Sequence, residues 1–454
     1  MTPRADATPA PAHLSRETVR RVDEIVTTTQ SVGRAPSVVA AVVRGGRLVH
    51  FTGAGEHPAP DRDTQYRMGS ITKSLTAAVV LQLRDSGRLA LDDPLAAHLP
   101  EAGLDVGGVS LRHLLGHVAG LQREPEGEWW ERSAGGTLEA LLAGVGPDKL
   151  SWPALRGYHY SNLAYGLLGG VIGRITGASW IDAVRDRVLG PLGMVRTSYE
   201  PEEPFARGYV VHPWHGTLHE EPRHDAGAMA PAGQLWSTIA DLSRWAAFLC
   251  APEPSVLSPD SVAAMAGPVA IADPEAWTSG YGLGLQLWRR GERVFVGHTG
   301  SMPGYLAVLV VHRPTGTGVV AFVNSYSLTG STIAALGLSI LEAVLDGEPA
   351  ALPGPWRPGV APPPDVEPLC GRWWWMGREF EARWDPSGEG ALVITGTRAG
   401  AEAWRFSPEG ADCWRGQSGD NDGELLRVCR DASGAVSTLD IATFVFTRDP
   451  LPPE

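Results

Sequence analysis

The chain has 454 residues, long for one domain and comfortable for two. Its hydrophobic content of 43% is enough for sizeable cores, and its net charge of −13 argues against nucleic acid or an anionic membrane surface as a partner. Four cysteines are too sparse for a secreted disulfide framework and form no C-x-x-C pair, so Cys250, Cys370, Cys413 and Cys429 are expected to be reduced and buried.

The first twenty residues contain no apolar run of the signal-peptide kind, which leads to the expectation of a cytoplasmic protein. Helical spacing begins at Glu17 and continues to Gln30. Two strand-like runs follow, Val38 to Val43 and Leu48 to Gly53, joined at Gly45-Gly46. A long helix is predicted from near Ser70 to Asp85. The middle of the chain, from about 90 to 250, reads as helices and loops, with helices at Leu163 to Ile175 and Ile239 to Leu249. Strands return at Val294 to Gly297, Tyr305 to His312 and Val319 to Val323. A closing helix covers Ile333 to Leu345, an apolar stretch too short for a membrane span and interrupted by Glu342. Strands at both ends of this body with helices between predict an α+β fold: one antiparallel sheet built from the two termini, plus an inserted helical region. Residues 351–368 are proline-rich and predict an extended linker between a body, residues 1–350, and a tail, residues 369–454. The tail alternates short strand-like runs with turn residues. With Trp373, Trp374, Trp375 and Trp404 it predicts a small lipocalin-like β-barrel or sandwich.

Chemistry is concentrated in three places. The chain has only two lysines, Lys73 and Lys149, among 38 basic residues. An amine, unlike a guanidinium, can lose its proton near neutral pH. Lys73 follows Ser70 by three residues, one helical turn, so a desolvated Lys73 can take the Ser70 proton, and the helix N-terminus favours an oxyanion beside it. The second place is Tyr160-Ser161-Asn162. A tyrosine held against an amine is expected to have a lowered pKa and to act as acid or base, while Asn162 offers an amide to hold Lys73 and a substrate carbonyl. The third is His298-Thr299-Gly300, at the end of a strand. Small residues there let a substrate backbone approach, and the N–H of Ser301 can complete an oxyanion hole with that of Ser70.

The order and spacing of these motifs resemble the serine β-lactamase and penicillin-binding-protein superfamily, which carries S-x-x-K followed by S-D-N or Y-x-N and then K-T-G or a variant. The Y-x-N and H-T-G forms are similar to class C β-lactamases, D-peptidases, family VIII esterases and penicillin-binding-protein-type thioesterases. LLGHVAGL at 114–121, GPLGM at 190–194 and PAGQLWST at 231–238 look like the same group. The resemblance covers about residues 35–345 and implies a β-lactamase/transpeptidase-like fold with Ser70, Lys73, Tyr160, Asn162 and His298 as catalytic residues, Gly300 and Ser301 as substrate-binding residues, and no cofactor or metal. Ala119 stands where the family often has serine. His298 stands where K-T-G enzymes have lysine, so a pH-dependent imidazole replaces a fixed cation.

The reaction implied is acyl transfer from a peptide or ester carbonyl to Ser70, resolved by water or an amine. A carrier-protein-bound peptidyl thioester released as a macrocycle is an alternative donor. Trp129, Trp130, Trp236 and Trp288 suit a bulky peptide. Arg448, near the chain's end, is a further candidate substrate-binding residue through paired hydrogen bonds to a carbonyl or carboxylate. Two readings of other classes compete: a zinc hydrolase built on His212, His215, His219 and His224 with Glu220 and Glu221, and a non-catalytic binding module on the same fold.

Overall fold

A computed structural model describes residues 13–348, 359–387, 390–398 and 400–450. The chain divides near residue 351 into two compact units.

In the larger unit, helix α1 (Arg16–Gly33) is capped by the Ser15 side chain and leads into strands β1 (Ser37–Arg44) and β2 (Arg47–Gly55). The turn bearing Ser70, Gly69–Ile71, is a single 3-10 turn that runs into helix α2 (Thr72–Asp85). Helices α3 (Asn162–Thr176) and α4 (Ile239–Cys250) follow in the inserted region. Six more strands complete the sheet: β3 (Ala270–Ile271), β4 (Ser279–Tyr281), β5 (Gln286–Arg290), β6 (Arg293–Met302), β7 (Tyr305–His312) and β8 (Thr317–Val323). Helix α5 (Ile333–Gly347) ends the unit. The antiparallel strand order is β2-β1-β8-β7-β6-β5-β4-β3, so the two ends of the unit meet at the β1–β8 pair.

Burial explains why the central strands read as unbroken valine runs. Every residue of β1 and β8 is buried. Val38, Ala40 and Val42 join a core with Val308, Val310, Val319 and Val323 beneath α1 and α5. Val39, Ala41 and Val43 turn to the opposite core, which they share with Leu309, Phe322 and the inserted helices. A strand covered on both faces has no polar side to alternate.

The smaller unit is a closed eight-stranded barrel with neighbouring strands paired in chain order. Its strands are β9 (Gly371–Trp375), β10 (Arg378–Asp385), β11 (Ala391–Gly396), β12 (Ala403–Gly410), β13 (Cys413–Gly416), β14 (Leu425–Arg430), β15 (Val436–Ile441) and β16 (Phe444–Thr447). Trp373, Leu392, Ile394, Phe406 and Phe446 are among its core residues. Val366, within the predicted linker, is buried in the same core as Leu369, whereas 349–358 lie outside the described residues. The cysteines depart from expectation: all four are free, but Cys250, Cys370 and Cys413 are only partly buried and Cys429 is exposed. Among the described residues no helix is long and apolar enough to cross a membrane.

Candidate active site

Ser70 is positioned by two glycines. Gly69 has φ +53, a left-handed conformation that L side chains rarely adopt, and a Cβ there would meet the Ser301 nitrogen at 2.6 Å. Gly300 approaches the same turn from β6, where a Cβ would lie 1.9 Å from the Met68 carbonyl oxygen and 3.3 Å from the Ser70 nitrogen. The strand edge and the serine turn are therefore in backbone contact. This brings the N–H groups of Ser70 and Ser301 to one region, as an oxyanion hole requires. Gly300→Ala should push these two segments apart. We expect a destabilisation of about 1–3 kcal/mol from overpacking, together with a loss of acylation rate larger than the loss of folded protein. Thermal melting and single-turnover acylation, measured side by side, check this.

Lys73 is fully buried in the first turn of α2. Its Nζ donates to Ser70 Oγ at 3.0 Å and to the Ala232 carbonyl at 2.7 Å. Burial pulls its pKa down to about 7, opposed by the nearby carboxylates of Glu124 and Glu131. A neutral amine is thus accessible near neutral pH, as a general base needs.

Tyr160 lies in the loop before α3. Its phenol lies beside Ser70, and the Lys73 Nζ sits 5.0 Å from its ring centre. The expected lowering of its pKa is not found. Burial pushes the phenol well above its usual range, and the neighbouring Ser70 hydroxyl only partly offsets this. Tyr160 is therefore a neutral phenol that can relay a proton, and Lys73 is the group that titrates near neutrality. Ser161 caps α3, its hydroxyl accepting from the Ala164 N–H at 3.1 Å, and its own N–H donates to His117 Nδ1 at 3.0 Å. The His117 ring packs 4.3 Å from that of Tyr160.

Two further expectations are corrected. The Asn162 amide does not hold Lys73. Its Nδ2 donates to both carboxylate oxygens of Glu124 at 2.9 and 3.1 Å, and the main-chain anchor of Lys73 is Ala232. His298 is not a pH-dependent cation. It is buried, its Nδ1 faces the Thr299 carbonyl and its Nε2 faces the Tyr281 hydroxyl at 2.9 Å. The network assigns the ring proton to Nδ1 and an acceptor role to Nε2. Burial, reinforced by the charge of Lys73, lowers its pKa to about 3. His298 is a neutral wedge among the site's aromatic rings and supplies no charge for a substrate carboxylate.

Residues that sequence reasoning did not single out complete the site. Glu124 accepts from Asn162, from Trp130 Nε1 at 2.8 Å and from Arg123 Nε at 3.0 Å. Glu131 is partly buried, and burial beside Glu124 raises its pKa. Both are acidic residues in a loop, a pattern that carries no signal of its own. His117 and Ala232 lay inside LLGHVAGL and PAGQLWST, visible as landmarks but not as individual roles. Of the four tryptophans linked to a bulky substrate, Trp130 reaches the site through Glu124. Trp236 belongs to the core, and Trp288 packs under the opposite face of the sheet.

Lys149, the other lysine, has its side chain buried against Glu126 and Asp148, a structural ion pair. His212, His215 and His219 lie on or beside the short hairpin Tyr209–Val211 and Leu218–Glu220. His212 Nδ1 accepts from the backbone N–H of Trp214 and of His215. Among the described residues no three His, Cys, Asp or Glu side chains converge so as to hold a metal ion. Arg448 is committed within the barrel. Its guanidinium donates to the carbonyls of Arg372, Pro368 and Cys370 and lies 3.7 Å from the centre of the Trp373 ring. That engagement uses three of its five N–H donors within the barrel.

The fold and this constellation define a β-lactamase/transpeptidase-like serine hydrolase. Residues 22–339 match the Beta-lactamase family model, and residues 362–448 match a domain of unknown function, DUF7586. The chain belongs to the beta-lactamase family. It is 31% identical over 347 residues to penicillin-binding protein 4 of Amycolatopsis lactamdurans, covering 70% of this chain and 86% of that protein. The D-stereospecific amidohydrolase from Streptomyces sp. superposes with a TM-score of 0.62 at 27% identity, over 72% of this chain and 98% of its own. SurE with D-Leu superposes with a TM-score of 0.59 at 26% identity, over 95% of this chain and 99% of its own.

Proposed function

We propose that the protein is a serine acyl-enzyme amidohydrolase acting on short peptides or amides whose acyl residue has the D configuration. The observation that carries this reading is the 3.0 Å contact between the buried Lys73 amine and Ser70 Oγ, with the Tyr160 ring 5.0 Å from the same amine. In the proposed cycle Ser70 Oγ attacks the carbonyl carbon as Lys73 accepts its proton. The oxyanion forms near the N–H groups of Ser70 and Ser301. The C–N bond then breaks, and the proton passes through Tyr160 to the departing amine. Water, or an amine of the substrate, attacks the ester by the reverse proton route.

Charge narrows the acyl group. Glu124 and Glu131 stand close enough to act on Lys73, while His298 is neutral, so the site disfavours a free carboxylate and suits a neutral or aminated acyl residue. The D preference is supported by the likeness to a D-stereospecific amidohydrolase and to a structure with D-Leu bound.

The test is a matched set of D- and L-amino-acid p-nitroanilides, with a peptidyl thioester alongside. We expect turnover of the D series at least about tenfold above the L series, the scale of a few misplaced contacts at the reacting carbon. Equal rates, or an L preference, would overturn the stereochemical assignment. Product mass distinguishes a linear acid, released by water, from a cyclic peptide, released by the substrate's own amine.

A further inference from the structure

The barrel carries a cavity of its own. In an up-and-down barrel alternate connections lie at the same end. Residues 376–377, 397–398 with 400–402, 417–424 and 442–443 therefore lie around one mouth. The opposite end is where the chain enters at Gly371, and there Arg448 lies over Trp373 and bonds to three surrounding carbonyls. One end is closed and the other is open.

At the open mouth lies a cavity of about 730 Å³, within the range of small-molecule sites. Eight strands leave an interior that either fills with side chains or holds one small ligand. The aromatic rings here frame space instead of filling it. Phe380 stacks on Trp404 at 5.3 Å on one wall, and Trp375 packs on Phe444 at 4.8 Å on another. Phe444 remains 48% exposed, an uncommon state for a ring with an apolar core beside it. Close-packed interiors do not leave voids of this size, so the shape needs an occupant or water.

The polar groups of the wall specify the occupant. Asn421 is only 6% exposed and lines the cavity, where it offers a side-chain amide. A side-chain amide both donates and accepts, so a ligand that presents an acceptor and a donor pairs with it. The lining carries charges of both signs, Arg378 and Arg398 with Glu379, Asp420 and Glu424, so no single charge dominates it. We propose that this cup binds a small planar aromatic molecule bearing a neutral amide, with the ring between the aromatic walls and the amide against Asn421. The proposal concerns the barrel alone and stands apart from the chemistry at Ser70.

The probe is indole-3-acetamide, titrated calorimetrically into the full-length protein, with indole as the comparison lacking the amide. One saturable site per chain is expected, with indole-3-acetamide bound more tightly than indole. Asn421→Leu should weaken indole-3-acetamide about tenfold and leave indole nearly unchanged, the scale of one satisfied buried amide. Phe444→Ala should weaken both probes about threefold to tenfold, the scale of one aromatic contact. Ala401→Trp, at an exposed position on the rim, should block both. These last two positions are exposed enough to keep the test open if Asn421→Leu does not fold. No saturable binding by the native protein would overturn the proposal, as would binding unaffected by both Phe444→Ala and Ala401→Trp.

Discussion

Ser70→Ala is expected to abolish covalent capture of a reactive acyl donor, with intact-protein mass showing no adduct under conditions that fully label the native chain. The Oγ is held at 3.0 Å by the Lys73 amine, with the Tyr160 ring 5.0 Å from that amine. Removing a serine nucleophile from such a constellation costs about 10⁶-fold in turnover, leaving only what positioning and the oxyanion hole supply. The fold should be little affected, because the hydroxyl sits in a 3-10 turn whose shape is set by the Gly69–Ser301 and Gly300–Met68 contacts. Persistent acylation of the mutant would mean that another nucleophile does the chemistry.

Lys73→Arg is expected to lower kcat/KM by about 10²–10⁴-fold, the range for loss of a general base. The guanidinium keeps the charge and cannot lose its proton. Two features separate this from a packing defect. The native enzyme should show an acid limb in kcat/KM centred near pH 7, falling about tenfold per unit below it, because burial lowers the Lys73 pKa to about 7 and only the neutral amine accepts the serine proton. In the variant the residual activity should lose that limb. The sign of the stability effect follows from the same shift. Between about pH 7 and the ordinary amine value of 10.5, the unfolded chain holds a proton that the folded chain does not, so this group's contribution to stability rises with pH across that window. Its destabilising effect is complete below pH 7. An unchanged limb in Lys73→Arg, or near-full activity, would remove Lys73 from the proton path. Tyr160 and His298 cannot provide this limb, since burial keeps the phenol and the imidazole neutral through that range.

The spacing of Ser70 and Lys73 was legible because a helical turn converts three residues of sequence into one face, whatever the rest of the fold does. The valine runs of β1, β7 and β8 were legible for a similar reason: burial on both faces leaves the same mark in any parallel or antiparallel sheet. The alternation of short runs and turns after residue 370 likewise marked a small β unit, since every barrel strand pairs with its chain neighbour and only the closing β9–β16 pair is distant. These are local statements, and the sequence alone determined them.

Charge states and partners were decided only by the tertiary structure. A pKa depends on what buries a group and on what charge faces it, and those neighbours come from distant segments. Lys73 meets Ala232, 159 residues away, and Asn162 meets Glu124, 38 residues away. His298 is held neutral by burial against Tyr281 across the β5 hairpin, although its place in the motif suggested a titrating cation. Arg448 illustrates the same limit. Its position near the chain's end suggested a free guanidinium, but barrel closure brings it onto Trp373 and three backbone carbonyls. Sequence periodicity reports which residues face inward. What they meet there is set by long-range packing, because desolvation and Coulomb forces act through space and not along the chain.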